Sequence, residues 1–362
     1  MKSQYILEKD AELPDLKELG FGKWASPYMY VRRYRNGAWE APIIHEYDLF
    51  ALDPAAQALH YGQLIFEGMK AYYNKDLGKI FTFRPEENAK RYQRSAQRLV
   101  MPELPVPDFL ASVFEAVRLA RRWIPPFSEA NPIEASLYIR PFLMGTSPKL
   151  GVKPSDDYAH AVITSPSGPY FRSGFTPIRL KVETEYVRAV RGGTGEAKCA
   201  GNYASSLLAA KRAEAEGFSQ VLWLDGVDRR YIEEVGAMNV FVLMNGTLMT
   251  PSLTGSILPG ITRSSILTMG EALGVPVAET NIDIHELLAG IENGTVTEMF
   301  GSGTAAVVTP VGLLGYQGKE YAINGGHVGE LTSTIYKTLV RIQYGLEQPA
   351  YAKDWCIEIK DA

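Results

Sequence analysis

One lysine, Lys198, stands in the stretch RGGTGEAKCAGNYASSL (residues 191–207), among four glycines and ahead of a tyrosine and a helix-like run. The glycines at 192, 193 and 195 let the backbone bend sharply and approach a neighbour closely. A phosphate-cradling P-loop would end in Gly-Lys-Ser/Thr, but Ala197 precedes the lysine and Cys199 follows it. A dinucleotide fingerprint would need glycine where Lys198 stands, and an acidic residue closing the unit downstream. With both readings excluded, a surface loop with a solvated lysine stays open, and so does nucleophilic attack on a carbonyl, which a lowered pKa would permit; other parts of the chain must decide.

Such Schiff-base chemistry is most often done with pyridoxal phosphate, and it makes further demands. The cofactor's ring nitrogen wants an acid that keeps it protonated. Its phosphate wants arginine and the amides of a helix N-terminus, and its phenolic oxygen wants a hydrogen-bond donor. The chain offers a candidate for most of these. Glu233 and Glu234 sit at a strand end just before Gly236, and the residues alone leave open which is used. LPGITRSS is a Pro-Gly turn into a helix, with the amides of Ile261 and Thr262 in its first turn. FGSGTAAVV is a second glycine turn, offering Thr304 and Ala305, and Arg91 lies on the basic face of an early helix. Each feature alone is common on protein surfaces, so only their conjunction carries weight.

The elements that must position these residues read as α+β. MYVRRYRNGAWEAP is a hairpin turning on Asn36-Gly37, and Asn245-Gly246 marks a second. RPEENAKRYQRSAQRL is a helix with acids first and bases after, and DFLASVFEAVRLARRWI is a second, capped by Asp108. NYASSLLAAKRAEAEG reads as one helix closed by Gly217, and DIHELLAGIENG carries a capping box from Asp283 to Glu286. The Pro-, Gly- and Ser-rich segment 165–177 is the best linker. It divides the chain into a small domain (1–170), a loop (171–177) and a larger domain (178–362) that carries Lys198. Irregular alternation of strands and helices favours antiparallel or mixed sheets over an open parallel one.

At 362 residues the chain is long enough for two cores. A net charge of −4 leaves no electrostatic footprint for nucleic acid, and no apolar run is long enough to span a membrane. The N-terminal residues show no secretory pattern, so the cytoplasm is the expected location. Two distant cysteines, Cys199 and Cys356, cannot form a disulfide framework or a four-thiolate zinc site. A small molecule is the expected partner.

YGQLIFEGMKAY, NAKRYQRSAQRL, SLYIRPFLMGTSPKLGV, GGTGEAKCAGNYASSL, EVGAMNVF, LPGITR and EMFGSGTAAVVTPV occur in this order. Together they closely resemble the branched-chain amino acid aminotransferases, pyridoxal 5'-phosphate enzymes of fold-type IV. The resemblance implies a two-domain α+β fold and reversible transfer of the amino group of L-leucine, L-isoleucine or L-valine to 2-oxoglutarate. It implies that Lys198 holds the cofactor covalently and shuttles the proton, that Tyr203 meets the phenolic oxygen, and that Glu234 rather than Glu233 meets the ring nitrogen. Arg91, Ile261, Thr262 and Thr304 match phosphate-holding positions, with Arg188 as an addition. Phe21, Phe66, Tyr138 and Tyr170 match an aromatic pocket, while Tyr61, Ala237 and Ala305 match the side receiving the α-carboxylate. Arg140 or Tyr61 is expected to greet the distal carboxylate of 2-oxoglutarate. The loop Leu150–Val152 and Met238 are implied to reach a neighbouring subunit, hence a homodimer. Ala306-Val307-Val308-Thr309 replaces the Cys-x-x-Cys of some members, so no thiol switch is expected there. Other fold-type IV enzymes, acting on D-amino acids, (R)-amines or aminodeoxychorismate, are the alternatives.

Overall fold

The computed structural model describes residues 5–130, 133–168 and 174–360. The chain forms two compact units: Met1–Arg172 with Ala197–Ala200 and Arg341–Ala362, and Ser173–Glu196 with Gly201–Val340. The units divide near residue 172, and the later part of the chain is shared between them. The four residues around Lys198 and the C-terminal segment belong with the first unit, because their partners lie there.

The first unit is built on a sheet ordered Cys356–Glu358, Lys79–Phe83, Met69–Asn74, Ser136–Gly145, Tyr158–Ser167, Tyr28–Arg35, Ala38–Trp39. Neighbours on this path run antiparallel. The first hairpin turns where expected, with φ of 52° at Asn36 and 77° at Gly37, the doubly positive geometry of a tight two-residue turn. Helices Pro85–Arg98 and Val106–Leu119 cover one face. Tyr92, Ala96, Phe109 and Val113 from them pack with Met69, Leu137, Ile139 and Leu143 from the strands. Strand residues alternate between faces, so Tyr138 and Arg140 lie on the opposite face from that core. The second helix starts two residues before Asp108. Its N-terminus is set by prolines, and Asp108 instead pairs with Arg32 at 2.8 Å.

The second unit contains a closed barrel. Six strands follow in a ring: Ile178–Glu183, Val307–Tyr316, Val296–Gly303, Met238–Met244, Ile232–Val235 and Gln220–Leu224. Closure comes from a two-residue turn, Gly236-Ala237, which brings Glu234 opposite Asn239. The sheet is mixed: Ile178–Glu183 pairs parallel with both of its neighbours. The expected single helix after Lys198 is broken into Ala200–Ala204 and Leu207–Ala215. At the break the hydroxyls of Ser205 and Ser206 donate to the carbonyls of Asn202 and Tyr203, and they compete there with the helical ladder. Asp283 caps its helix as expected, accepting from the His285 amide at 2.8 Å.

Candidate active site

In the first unit Lys198 is fixed through its backbone. Its amide donates to Ser95 Oγ at 3.0 Å, its carbonyl accepts from the Phe66 amide at 3.0 Å, and Cys199 bridges to Ile65. The lysine thus lies alongside the strand Leu64–Phe66, with Nζ 5.1 Å from the centre of the Phe66 ring. Cys199 itself is buried in the core, so it is a structural residue rather than a reactive thiol.

Glu67, next to Phe66, is the residue that sequence reasoning missed. It is fully buried and accepts from Arg91 Nε at 2.7 Å, a second Arg91 nitrogen at 2.8 Å and Asn88 Nδ2 at 2.8 Å. Burial pushes the Glu67 carboxyl up. The charge and hydrogen bonds of Arg91, the charge of Lys198 and the Asn88 bond outweigh it, so the group stays below its ordinary range. Arg91 is therefore held bidentately on an acid that also feels Lys198. The available signal was a charged residue inside the otherwise apolar strand run LIFEGM.

The aromatic positions gather nearby. Arg140 lies 4.6 Å from the Phe66 ring centre and 5.3 Å from that of Tyr138, and donates to the Tyr138 hydroxyl at 2.9 Å. Its Nε is buried without a partner among the described residues. Phe21 meets Tyr138 edge-on at 4.8 Å. Tyr61 donates its hydroxyl to the Leu150 carbonyl, tying down the loop that carries Val152, which is 82% exposed. Tyr170 lies outside the described residues.

In the second unit Arg188 is a hub. Its Nε lies 2.8 Å from Glu234 Oε2, an ion pair whose N–H is not aligned for a hydrogen bond. One of its terminal nitrogens donates to the carbonyls of Gly195 (3.3 Å) and Ser256. The arginine is thus held by the acid and by two backbone carbonyls. Glu234 Oε1 also accepts from the Leu258 amide at 2.9 Å and Asn239 Nδ2 at 3.3 Å. Glu233 accepts from Ser256 Oγ, and burial pushes its carboxyl above the usual range. Tyr203 sits half-buried in the short helix Ala200–Ala204.

The two glycine turns expected to hold an anion are also here. Gly260 precedes helix Ile261–Ala272 with no side-chain cap, and Ile261 and Thr262 are buried in its first turn. Thr304 and Ala305 form the turn between strands Val296–Gly303 and Val307–Tyr316, beside Ser302, whose buried Oγ has no partner among the described residues. Val307 closes that turn at φ 59°, an uncommon conformation for a β-branched side chain. Ala237 is exposed in the Gly236-Ala237 turn. Met238, expected to reach a neighbouring subunit, is instead buried and packs on Gly301 of its own unit.

The family model "Amino-transferase class IV" matches residues 64–314. The chain belongs to the class IV aminotransferases. It is 44% identical over 360 residues to branched-chain-amino-acid transaminase 1 of Bacillus subtilis (strain 168), covering 99% of this chain and 98% of that one. A probable branched-chain-amino-acid aminotransferase of Staphylococcus aureus (strain MRSA252) is 48% identical over 337 residues, covering 92% of each. The solved branched-chain aminotransferase of Escherichia coli superposes with a TM-score of 0.74 at 26% identity, covering 91% of this chain and 99% of that one. Within the family, then, its place is among the branched-chain amino acid aminotransferases, and its fold is the α+β fold-type IV.

An aminotransferase of this class is a pyridoxal-phosphate enzyme, and the residues present fit that group. The uncapped helix at Gly260 can accept a phosphate. A side chain at Gly260 would crowd Asn239, its Cβ lying 3.2 Å from Asn239 Cγ, so the turn into this helix calls for glycine. The buried, multiply hydrogen-bonded Glu234 is suited to a protonated ring nitrogen.

Proposed function

We propose that this aminotransferase moves the amino group of L-leucine, L-isoleucine or L-valine reversibly onto 2-oxoglutarate, giving the branched 2-oxo acid and L-glutamate. Pyridoxal phosphate, when bound, supplies the carbonyl that takes the amino group and the ring that absorbs the electron pair left at the α-carbon. Lys198 is the covalent attachment point, and its freed amine carries the α-proton away and returns it. Its backbone bonds to Ser95 and Phe66 fix the main chain from which that amine extends.

Glu234 holds the ring nitrogen protonated, with Arg188 balancing its charge. Tyr203 donates to the phenolic oxygen. Ile261, Thr262 and Thr304 hold the phosphate, and Arg91, oriented by Glu67, adds positive charge to it. Tyr61, Ala237 and Ala305 line the side that takes the α-carboxylate. The working form is a homodimer in which the exposed loop Leu150–Val152 serves the neighbouring subunit's site. The apolar character of Leu150 and Val152 at high exposure supports that reading.

The observation that carries the substrate assignment is the surroundings of Arg140. One pocket must take a branched aliphatic chain in one half-reaction and a carboxylate in the other. Phe66, Phe21 and Tyr138 provide apolar walls, and the guanidinium stacked on two of them has a buried Nε available to a carboxylate. Single-turnover half-reactions with L-leucine, L-isoleucine, L-valine, D-alanine and 2-oxoglutarate test this. The R140M variant is expected to lose the 2-oxoglutarate half-reaction by about 10–100-fold, the cost of one charge-assisted hydrogen bond, and to keep the leucine one. A preference for D-alanine, or equal loss of both half-reactions, would contradict the assignment.

A further inference from the structure

Residues 252–260 connect strand Thr247–Pro251 to helix Ile261–Ala272 with no regular structure of their own. This strap leads directly into the helix N-terminus proposed to hold the phosphate, and it is pinned at two alternate residues. At Leu258 the amide donates to Glu234 Oε1 at 2.9 Å, and the carbonyl accepts from Asn239 Nδ2 at 2.9 Å. At Ser256 the carbonyl accepts from Arg188 and the hydroxyl donates to Glu233. The strap also presses on the lysine loop: a Cβ on Gly195 would lie 2.6 Å from the Ser256 carbonyl carbon.

Glu233 is 5% exposed, and its second carboxylate oxygen is buried without a partner among the described residues. Burying a carboxyl group for a single hydrogen bond is costly, and a fully apolar residue would fill the same strand position at no such cost. The bond it does make therefore needs a purpose. Ser256 is the residue whose carbonyl helps hold Arg188, and Arg188 is the cation on Glu234.

We propose that Glu233 is a positioning residue for the cofactor: through the Ser256 hydroxyl it fixes the strap, so that the Ser256 carbonyl keeps Arg188 on Glu234. The proposed route from Glu233 to the ring nitrogen runs through Ser256 and Arg188; the Glu233 charge also faces Arg188 and Glu234 directly, and E233Q, which removes that charge and keeps the hydrogen bond, separates the two. The inference rests on the assignment of Glu234 to that nitrogen, and the experiment separates the two.

The readout is the dissociation constant of pyridoxamine 5'-phosphate from the apo-protein, compared with that of its carbocyclic analogue, in which CH replaces the ring nitrogen. Loss of general packing weakens both ligands equally, whereas loss of the Glu234 contact weakens only the nitrogen-containing one. In E233A and in S256A the preference for the nitrogen-containing ligand is expected to fall about tenfold, as for one lost hydrogen bond to a charged group. The double variant should fall no further than either single one, because both substitutions break one connection. E233Q, whose amide oxygen can still accept from Ser256, should keep the wild-type preference, and it keeps the test open if E233A folds poorly. An unchanged preference in E233A and S256A, equal weakening of both ligands, or additive losses in the double variant would overturn the inference. In E234A the preference should vanish. If E234A retains it, the assignment of the acid is wrong and the inference falls with it; if E234A loses it while E233A does not, the inference alone fails.

Discussion

Replacing Glu67 by glutamine leaves its shape and removes its charge. In the native protein that charge neutralises Arg91 across two hydrogen bonds of 2.7 and 2.8 Å, with both side chains nearly inaccessible. A guanidinium cannot give up its proton, so E67Q strands a buried cation. Breaking such a pair on one side costs about 3–5 kcal/mol. The glutamine oxygen can still accept one donor, so the lower end, about 3 kcal/mol, is expected. For a unit of this size that is a fall in Tm of roughly 6–12 °C, at about 2–4 °C per kcal/mol. Replacing the whole pair should cost far less than breaking it, so E67L/R91M is expected to melt above E67Q. The acid limb adds a second readout. The Glu67 carboxyl lies below its usual 4.5, held there against burial by Arg91, Lys198 and Asn88. Its contribution is therefore complete above pH 4.5 and is lost as pH falls through the native value, and E67Q lacks that loss. Thermal melts of the apo-protein from pH 3 to 8 measure both effects. A Tm for E67Q within about 2 °C of wild type, or a double variant less stable than E67Q, would refute this account of the pair.

Other substitutions probe other parts. G195A pushes a methyl group into the Ser256 backbone and should destabilise the apo-protein by about 1–3 kcal/mol. G201A is its control: it meets no described atom within 4 Å and lies in a helix, so it should be neutral or slightly stabilising by denaturant titration. His160 is buried between Tyr92 and Ser112, at 2.8 and 3.0 Å, and burial together with Arg32 pulls its pKa down from 6.5 to about 3. The unfolded chain takes up that proton first, so wild type should lose about 1.4 kcal/mol per pH unit relative to H160N between roughly pH 6 and 4. Parallel pH dependences of the two proteins would show that His160 is not held neutral.

The features legible in the sequence were those fixed by short-range chemistry. Asn36-Gly37 and Asn245-Gly246 turn as hairpins because both residues of each pair take positive φ readily. Asp283 caps its helix because the acceptor and the amide it meets are two residues apart. Contacts set by long-range folding were not legible. Lys198 joins the first unit through Ser95 and Phe66, residues more than a hundred positions earlier. Glu67 is defined as a site residue only by Arg91 and Asn88, which the helix Pro85–Arg98 brings to it. The contacts of Arg188 with Glu234 and Ser256 likewise join residues far apart in the chain, brought together by barrel closure and the strap. The helix after Lys198 was read through its two serines, whose hydroxyls break it. The resemblance supplied what spacing could not, namely an expectation of which of two adjacent acids meets the cofactor.

The central claim is that Lys198 carries the cofactor. Borohydride reduction of the purified holoenzyme followed by peptide mapping tests it directly. The reduced pyridoxyl group is expected on the peptide spanning Lys198 and nowhere else, and K198A should bind the cofactor without any borohydride-fixed label. A label on another lysine, or an undiminished fixed label in K198A, would contradict the account.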